Sequence, residues 1–298
     1  MWLKRSAEFV LQTRWHAIGF AVLFTLAPLL GWIGAVIVCV VTLRKGIVEG
    51  VIVMLASALL VNLILFILGY PLTVPLGLLT GFIGGAVLQR THSWIILIEV
   101  MTLLGMAGVL IAHFVVPNLP QFWQQIMMSH FDQIKTATLV PLTVEQAQFI
   151  TAVMSRIITG IIAALVVISS IANTVVARWV QSLFETDIKV REPLLNLRID
   201  WALVLILAGV IASLFLHFIA ALDLIPIISL PFILVGISLV HFFANKSRYA
   251  VVALVGFYVF LIVLAHYALG LLMVLALVDR IFDLRRYRNG SYSTRKNA

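Results

Sequence analysis

The chain has 298 residues, of which 63% are hydrophobic and 11% charged, with a mean hydropathy of +1.15. Soluble domains carry about 25% charged residues, so this composition excludes a water-soluble globule. It also excludes an outer-membrane barrel, because barrel strands alternate apolar and polar residues and here the apolar runs are continuous.

An all-α polytopic membrane bundle is the fold class that follows, read as one integral membrane domain over 1–298. Eight apolar blocks stand out, at about 16–43, 46–68, 72–89, 92–116, 149–177, 201–221, 224–243 and 249–278. A spanning helix needs roughly 20 apolar residues, so the first and last blocks are too long for one ordinary span. Pro28, Gly31 and Gly34 interrupt the first, and His266 to Gly270 interrupt the last. Both read as broken or re-entrant pairs. Basic clusters then fall on one side: Lys4/Arg5/Arg14, Arg44/Lys45, Arg90, Arg178 to Arg198, Lys246/Arg248, and Arg280 to Lys296. Of the 20 Lys and Arg residues, only Lys135 and Arg156 are left on the other. Cytoplasmic loops are rich in Lys and Arg, so that side is cytoplasmic and both termini lie there. Topology thus accounts for the net charge of +8 without nucleic acid, and the bilayer with its anionic headgroups is the expected partner.

The basic start runs into the first block without a small-residue cleavage site, so it reads as a retained first segment. A lone cysteine, Cys39, supplies neither a disulfide nor a metal site. The first hairpin turn reads LGYPLTVPLGLLTG (Leu68 to Gly81) and a second, similar one LDLIPIISLPFILVG (Leu222 to Gly236). Each carries two prolines, which helix starts favour; a distant internal duplication is the other explanation. Gly77, Gly81 and Gly85, four apart, predict close helix packing. Asn62, Glu99 and Asn173 are intramembrane polar groups, the last in a patch with Ser169, Ser170 and Thr174.

Residues 117–148 form an extracytoplasmic loop. Within it Leu119, Phe122, Trp123, Ile126, Met127, Phe131 and Ile134 recur at helical spacing, the pattern of an interfacial amphipathic helix. Thr143 and Gln146, after Pro141, have the spacing of a capping box. Residues 178–200 form a charged cytoplasmic connector, where Arg178, Trp179, Gln181 and Arg198 flank a helix exit, and 279–298 a basic cytoplasmic tail. Trp anchors interfaces and Arg binds phosphate headgroups; a docking surface for a cytoplasmic protein is the sharper reading of the same residues.

His113, Arg156, His217, Asp223 and His266 fall toward the extracytoplasmic ends of different blocks and are the candidates for a ligand-binding, outward-facing cleft. No HExxH, no paired His or Cys at ligand spacing and no GxSxG elbow occurs, so the sequence predicts no metal, no cofactor and no enzyme. Without a Walker loop, transport would need a separate energising partner.

The segments ARWVQSLFE (Ala177 to Glu185), LLNLRID (Leu194 to Asp200), LPFILVGISLVHFF (Leu230 to Phe243) and LGLLMVLALVDRIFDLRRYR (Leu269 to Arg288) resemble the YybS-like family of bacterial inner-membrane proteins. The resemblance is clearest over 174–288. It implies a multi-pass protein of the bacterial cytoplasmic membrane, similar in architecture to the substrate-binding membrane subunits of energy-coupling-factor transporters. Two functions are therefore expected: a small-molecule-binding subunit that captures a solute, or a non-catalytic scaffold that binds proteins or anionic lipids through its connector and tail.

Overall fold

Fourteen helices account for almost all the described residues of the computed structural model, which are 2–27, 29–130, 143–185, 187–216, 218, 220–245 and 249–285; no strand occurs among them. In chain order they are α1 (Trp2–Gln12), α2 (Arg14–Leu26), α3 (Gly31–Lys45), α4 (Ile47–Ile67), α5 (Leu76–Thr91), α6 (Trp94–Val115), α7 (Leu119–Ser129), α8 (Val144–Met154), α9 (Ile158–Ser182), α10 (Arg191–Leu195), α11 (Trp201–Phe215), α12 (Ala221–Asn245), α13 (Ala250–Val263) and α14 (Ala265–Phe282). Five of these, α4, α6, α9, α12 and α14, are long and apolar enough to cross a membrane. A sixth crossing is possible if α1 and α2, which meet at a 112° bend, count as one broken span.

The chain divides into two compact units. The first takes the described residues within Met1–Met101, Ile168–Asp200 and Pro231–Ala298, the second those within Thr102–Val167 and Trp201–Leu230.

In the first unit α3 is the core helix. Its 15 residues span only ~22 Å, short of a ~30 Å hydrocarbon layer. It is apolar on every side, and such helices are buried: Gly34 through Leu43 are all buried, between α2, α4 and α5. Glycine permits the closeness. A Cβ on Gly81 of α5 would strike the Ala35 carbonyl of α3, and one on Gly85 would come within 2.8 Å of Thr42 Cβ. Gly77 has only ordinary contact with Ala35. Of the three glycines spaced by four, two thus serve the α3–α5 seam. Gly34 approaches Ala21 of α2, and Gly236 of α12 approaches Leu272 of α14, in the same way.

The interruption predicted in the first block falls where helices end, whereas His266 to Gly270 of the last lie inside α14. α2 stops at Leu26 and α3 starts at Gly31, with Leu29 at φ +67°; Pro28 itself lies outside the described residues. α13 and α14 are separated by Leu264 alone, two residues before the expected break. The second of the two similar turns is a correction. LDLIPIISLPFILVG is not a turn but helical throughout, inside α12. Each proline deletes one backbone hydrogen bond, and apolar helices tolerate this where neighbours and hydroxyls serve the freed carbonyls. The carbonyls freed here are those of Leu222 and Ile227, inside a helix where Ile227, Ile228 and Phe232 are fully buried.

In the second unit the amphipathic pattern of 119–134 becomes α7, which packs against α8; Phe131, Ile134 and Lys135 lie outside the described residues. α8 opens on the expected capping box: Gln146 N–H donates to Thr143 Oγ1 at 3.2 Å, and Thr143 N–H to Gln146 Oε1 at 3.0 Å.

Candidate functional site

The first turn of a helix carries N–H groups that its own carbonyls cannot reach. In α9 one of them belongs to Gly160. A side chain of another helix satisfies it: Asp223, in the first turn of α12, accepts from Gly160 N–H through Oδ1 at 2.9 Å. Its other oxygen, Oδ2, lies 2.8 Å from Nε2 of His113 in the last turn of α6. Asp223 is 1% exposed. A carboxylate is favoured at a helix N-terminus by the aligned peptide dipoles, so the helix end supplies part of what water would otherwise give it. The approach leaves no room for a side chain, since a Cβ on Gly160 would overlap the Asp223 carbonyl. One residue earlier, Thr159 Oγ1 accepts from Trp123 Nε1 of α7 at 2.9 Å. A run of polar contacts thus leads from the amphipathic helix α7 through the start of α9 to the His113–Asp223 pair.

Of the five residues expected in an outward cleft, the structure brings together His113 and Asp223. Arg156 is exposed in the turn between α8 and α9, and no hydrogen bond or ion pair joins its side chain to either of them. His217 lies outside the described residues. His266 belongs to the first unit, exposed, with its ring 4.0 Å from that of Tyr267. The second unit also holds an open groove of about 790 Å³ between α7 and α8, lined by Gln121, Gln124, Gln125, Glu145, Gln148 and Phe149 among others. Sequence reasoning missed it. The available signal was three glutamines on the polar face of an amphipathic helix, a pattern that also describes a face turned simply to water.

The three polar residues expected within the membrane fall in the first unit. Asn62 fastens a turn: its amide donates to the Ala58 carbonyl at 2.9 Å and accepts from Thr73 N–H at 2.8 Å, holding the loop that leads to α5. Asn173 is buried on one face of α9 with Ser170, Thr174 and Gln181, while Ser169 faces outward. Glu99 is half-buried, and its Oε1 has no hydrogen-bond partner among the described residues.

At the connector, Arg178 donates to Gln181 Oε1 at 2.7 Å and Gln181 in turn reaches the Glu185 carboxylate at 3.3 Å. Arg44 adds an ion pair to Glu185 at 3.8 Å and lies 4.0 Å over the Phe184 ring. Arg198 pairs with Asp283 at 2.8 Å. Arg178, Gln181 and Arg198 are therefore engaged within the chain, while Trp179, 44% exposed, and the Arg198 side chain, 50% exposed, both reach the surface. Of the expected tail, Asp279 and Arg285 are buried in the first unit, Ile281 and Phe282 are exposed, and 286–298 lie outside the described residues. Arg285 is 2% exposed; it donates to the Leu195 carbonyl at 2.7 Å, lies 3.2 Å from the buried Asp279 carboxylate and 5.3 Å from the Phe242 ring centre. Burial pushes its guanidinium pKa below the usual value, and Asp279 pulls it back up.

Among the described residues no group of three or more His, Cys, Asp or Glu is placed to hold a metal ion. Compared with protein-family models, with curated proteins and with solved structures, the chain matches none of them.

Proposed function

We propose that this chain is a multi-pass protein of a bacterial cytoplasmic membrane that captures a polar solute on its extracytoplasmic side and relies on a separate energising partner. The Asp223–His113 pair on the α9 N-terminus, its carboxylate buried, carries the proposal. Ionisable groups inside a membrane bundle are costly and tend to mark ligand or ion pathways, and here the pair is linked through Thr159 and Trp123 to the helix that walls an amide-lined groove. Glutamine amides offer both donors and acceptors and Glu145 adds one carboxylate to the lining, so the groove suits an uncharged or cationic polar solute. The distribution of Lys and Arg supports cytoplasmic termini and an extracytoplasmic α7–α8 segment. The helix ends near residues 27–30 and at Leu264 support broken or re-entrant first and last blocks.

Native mass spectrometry of the gently purified full chain tests this reading. Wild-type protein retains a stoichiometric non-lipid solute, and Asp223→Asn or His113→Gln loses it while melting as a folded protein. Equal retention by wild type and both variants contradicts a role for the pair in capture.

A scaffold acting through residues 178–200 is the second reading. The exposed Trp179 and the solvated Lys189–Glu192 pair favour it. The internal engagement of Arg178 and Arg198 leaves those two less to offer a partner.

A further inference from the structure

The first unit contains a cleft of about 590 Å³ bounded by α1, α2, α3 and α9. Its walls are almost wholly apolar, with Phe20 and Phe24 of α2, Ile33, Val36 and Val40 of α3, and Trp179 of α9. From Val40 to Ile33 the α3 wall runs seven residues, ~10 Å along the helix. Arg5 is the one charged residue among those lining it.

The cleft is asymmetric in charge. Its wall on one side is Trp179 and Val180 of α9, with Leu183 just past the helix end. Immediately beyond, the Phe184 ring has Arg44 4.0 Å and Lys4 5.8 Å from its centre. Arg178 adjoins Trp179. Against Lys4, Arg5, Arg44 and Arg178 stand Glu185, paired with Arg44, and Glu8 of α1. Cations therefore predominate at this end, and the α2–α3 end is apolar. Helix α1 meets α2 at 112° and is strongly amphipathic, with Phe9 and Val10 lining the cleft and Lys4, Arg5 and Glu8 exposed. A helix of this kind lies along the headgroup boundary.

An apolar slot with a cationic mouth beside an interfacial helix and an interfacial Trp is complementary to a molecule with a hydrocarbon tail and an anionic head. We infer that the cleft binds one anionic phospholipid of the surrounding bilayer, an acyl chain lying along α3 and the phosphate held by Lys4, Arg5 and Arg44. The inference stands apart from solute capture, which involves the second unit.

The test is native mass spectrometry of the full-length chain titrated with phosphatidylglycerol or with phosphatidylcholine of the same acyl chains. Wild-type protein holds one phosphatidylglycerol several-fold more tightly than phosphatidylcholine. A basic residue at an anionic surface is worth roughly fivefold in affinity, so Lys4→Gln with Arg5→Gln lowers phosphatidylglycerol binding at least fivefold and leaves phosphatidylcholine unchanged. Both side chains are exposed, so the double variant keeps the fold. Ile33→Trp, which fills the slot, weakens both lipids. Equal binding of the two lipids by wild type overturns the inference. So does an undiminished preference in the double variant, or full lipid binding by a folded Ile33→Trp.

Discussion

Asp223 divides its two oxygens between a backbone N–H of one helix and a histidine of another, and water reaches almost none of it. Removing the carboxylate leaves the Gly160 N–H and the His113 ring without their partner, so Asp223→Ala costs about 1–3 kcal/mol, visible as a lowered midpoint in thermal unfolding of the solubilised chain. Asp223→Asn keeps an acceptor for Gly160 and costs less. Gly160→Ala puts a methyl against the Asp223 carbonyl and costs about 1–3 kcal/mol by overpacking, without touching either ionisable group. Arg285→Met strands the buried carboxylate of Asp279, and pairing it with Asp279→Asn restores part of the loss; a double-mutant cycle on unfolding free energy measures that coupling. His113 and Asp223 were legible in the sequence because an ionisable residue in an apolar run has few reasons to be there. Their partner was not, because Gly160 contributes a backbone N–H that no residue type advertises. Arg285 was hidden among arginines that topology already explained, and only its burial against Asp279 sets it apart.

At the level of helices, burial follows from pattern where one helix is apolar all round. α3 shows this: its run from Gly34 to Leu43 has no polar face to turn outward, and it occupies the centre of its unit. Gly81 and Gly85 let α5 reach it, whereas Gly77 at the same spacing has room to spare. Gly81→Leu is therefore expected to lower the unfolding midpoint far more than Gly77→Leu, a difference that thermal melts of the two variants check side by side. Spacing of small residues identified the right helix but could not rank its glycines, since the ranking depends on where Ala35 and Thr42 sit on the opposing helix. Pro226 and Pro231 misled in the other direction. Their sequence context matches the loop before α5, yet they lie within α12, where a buried apolar setting sustains the helix. A proline in a lipid-facing or protein-buried helix is less disruptive than in water, and sequence alone does not say which setting it meets.

In the whole molecule the two units have different proposed tasks: a polar centre and an amide-lined groove in one, and a tightly packed, basic-edged bundle with a lipid cleft in the other. Solute capture from outside requires the groove to face the extracytoplasmic side. Gln125 is exposed on its wall, Lys189 is exposed in the connector, and the native Cys39 is buried. Labelling of intact cells with a membrane-impermeant maleimide therefore compares Gln125→Cys with Lys189→Cys, wild type serving as the unlabelled control. Outward capture predicts that Gln125→Cys reacts in intact cells and Lys189→Cys only after permeabilisation. The opposite pattern, with Gln125→Cys protected until the membrane is opened, contradicts it.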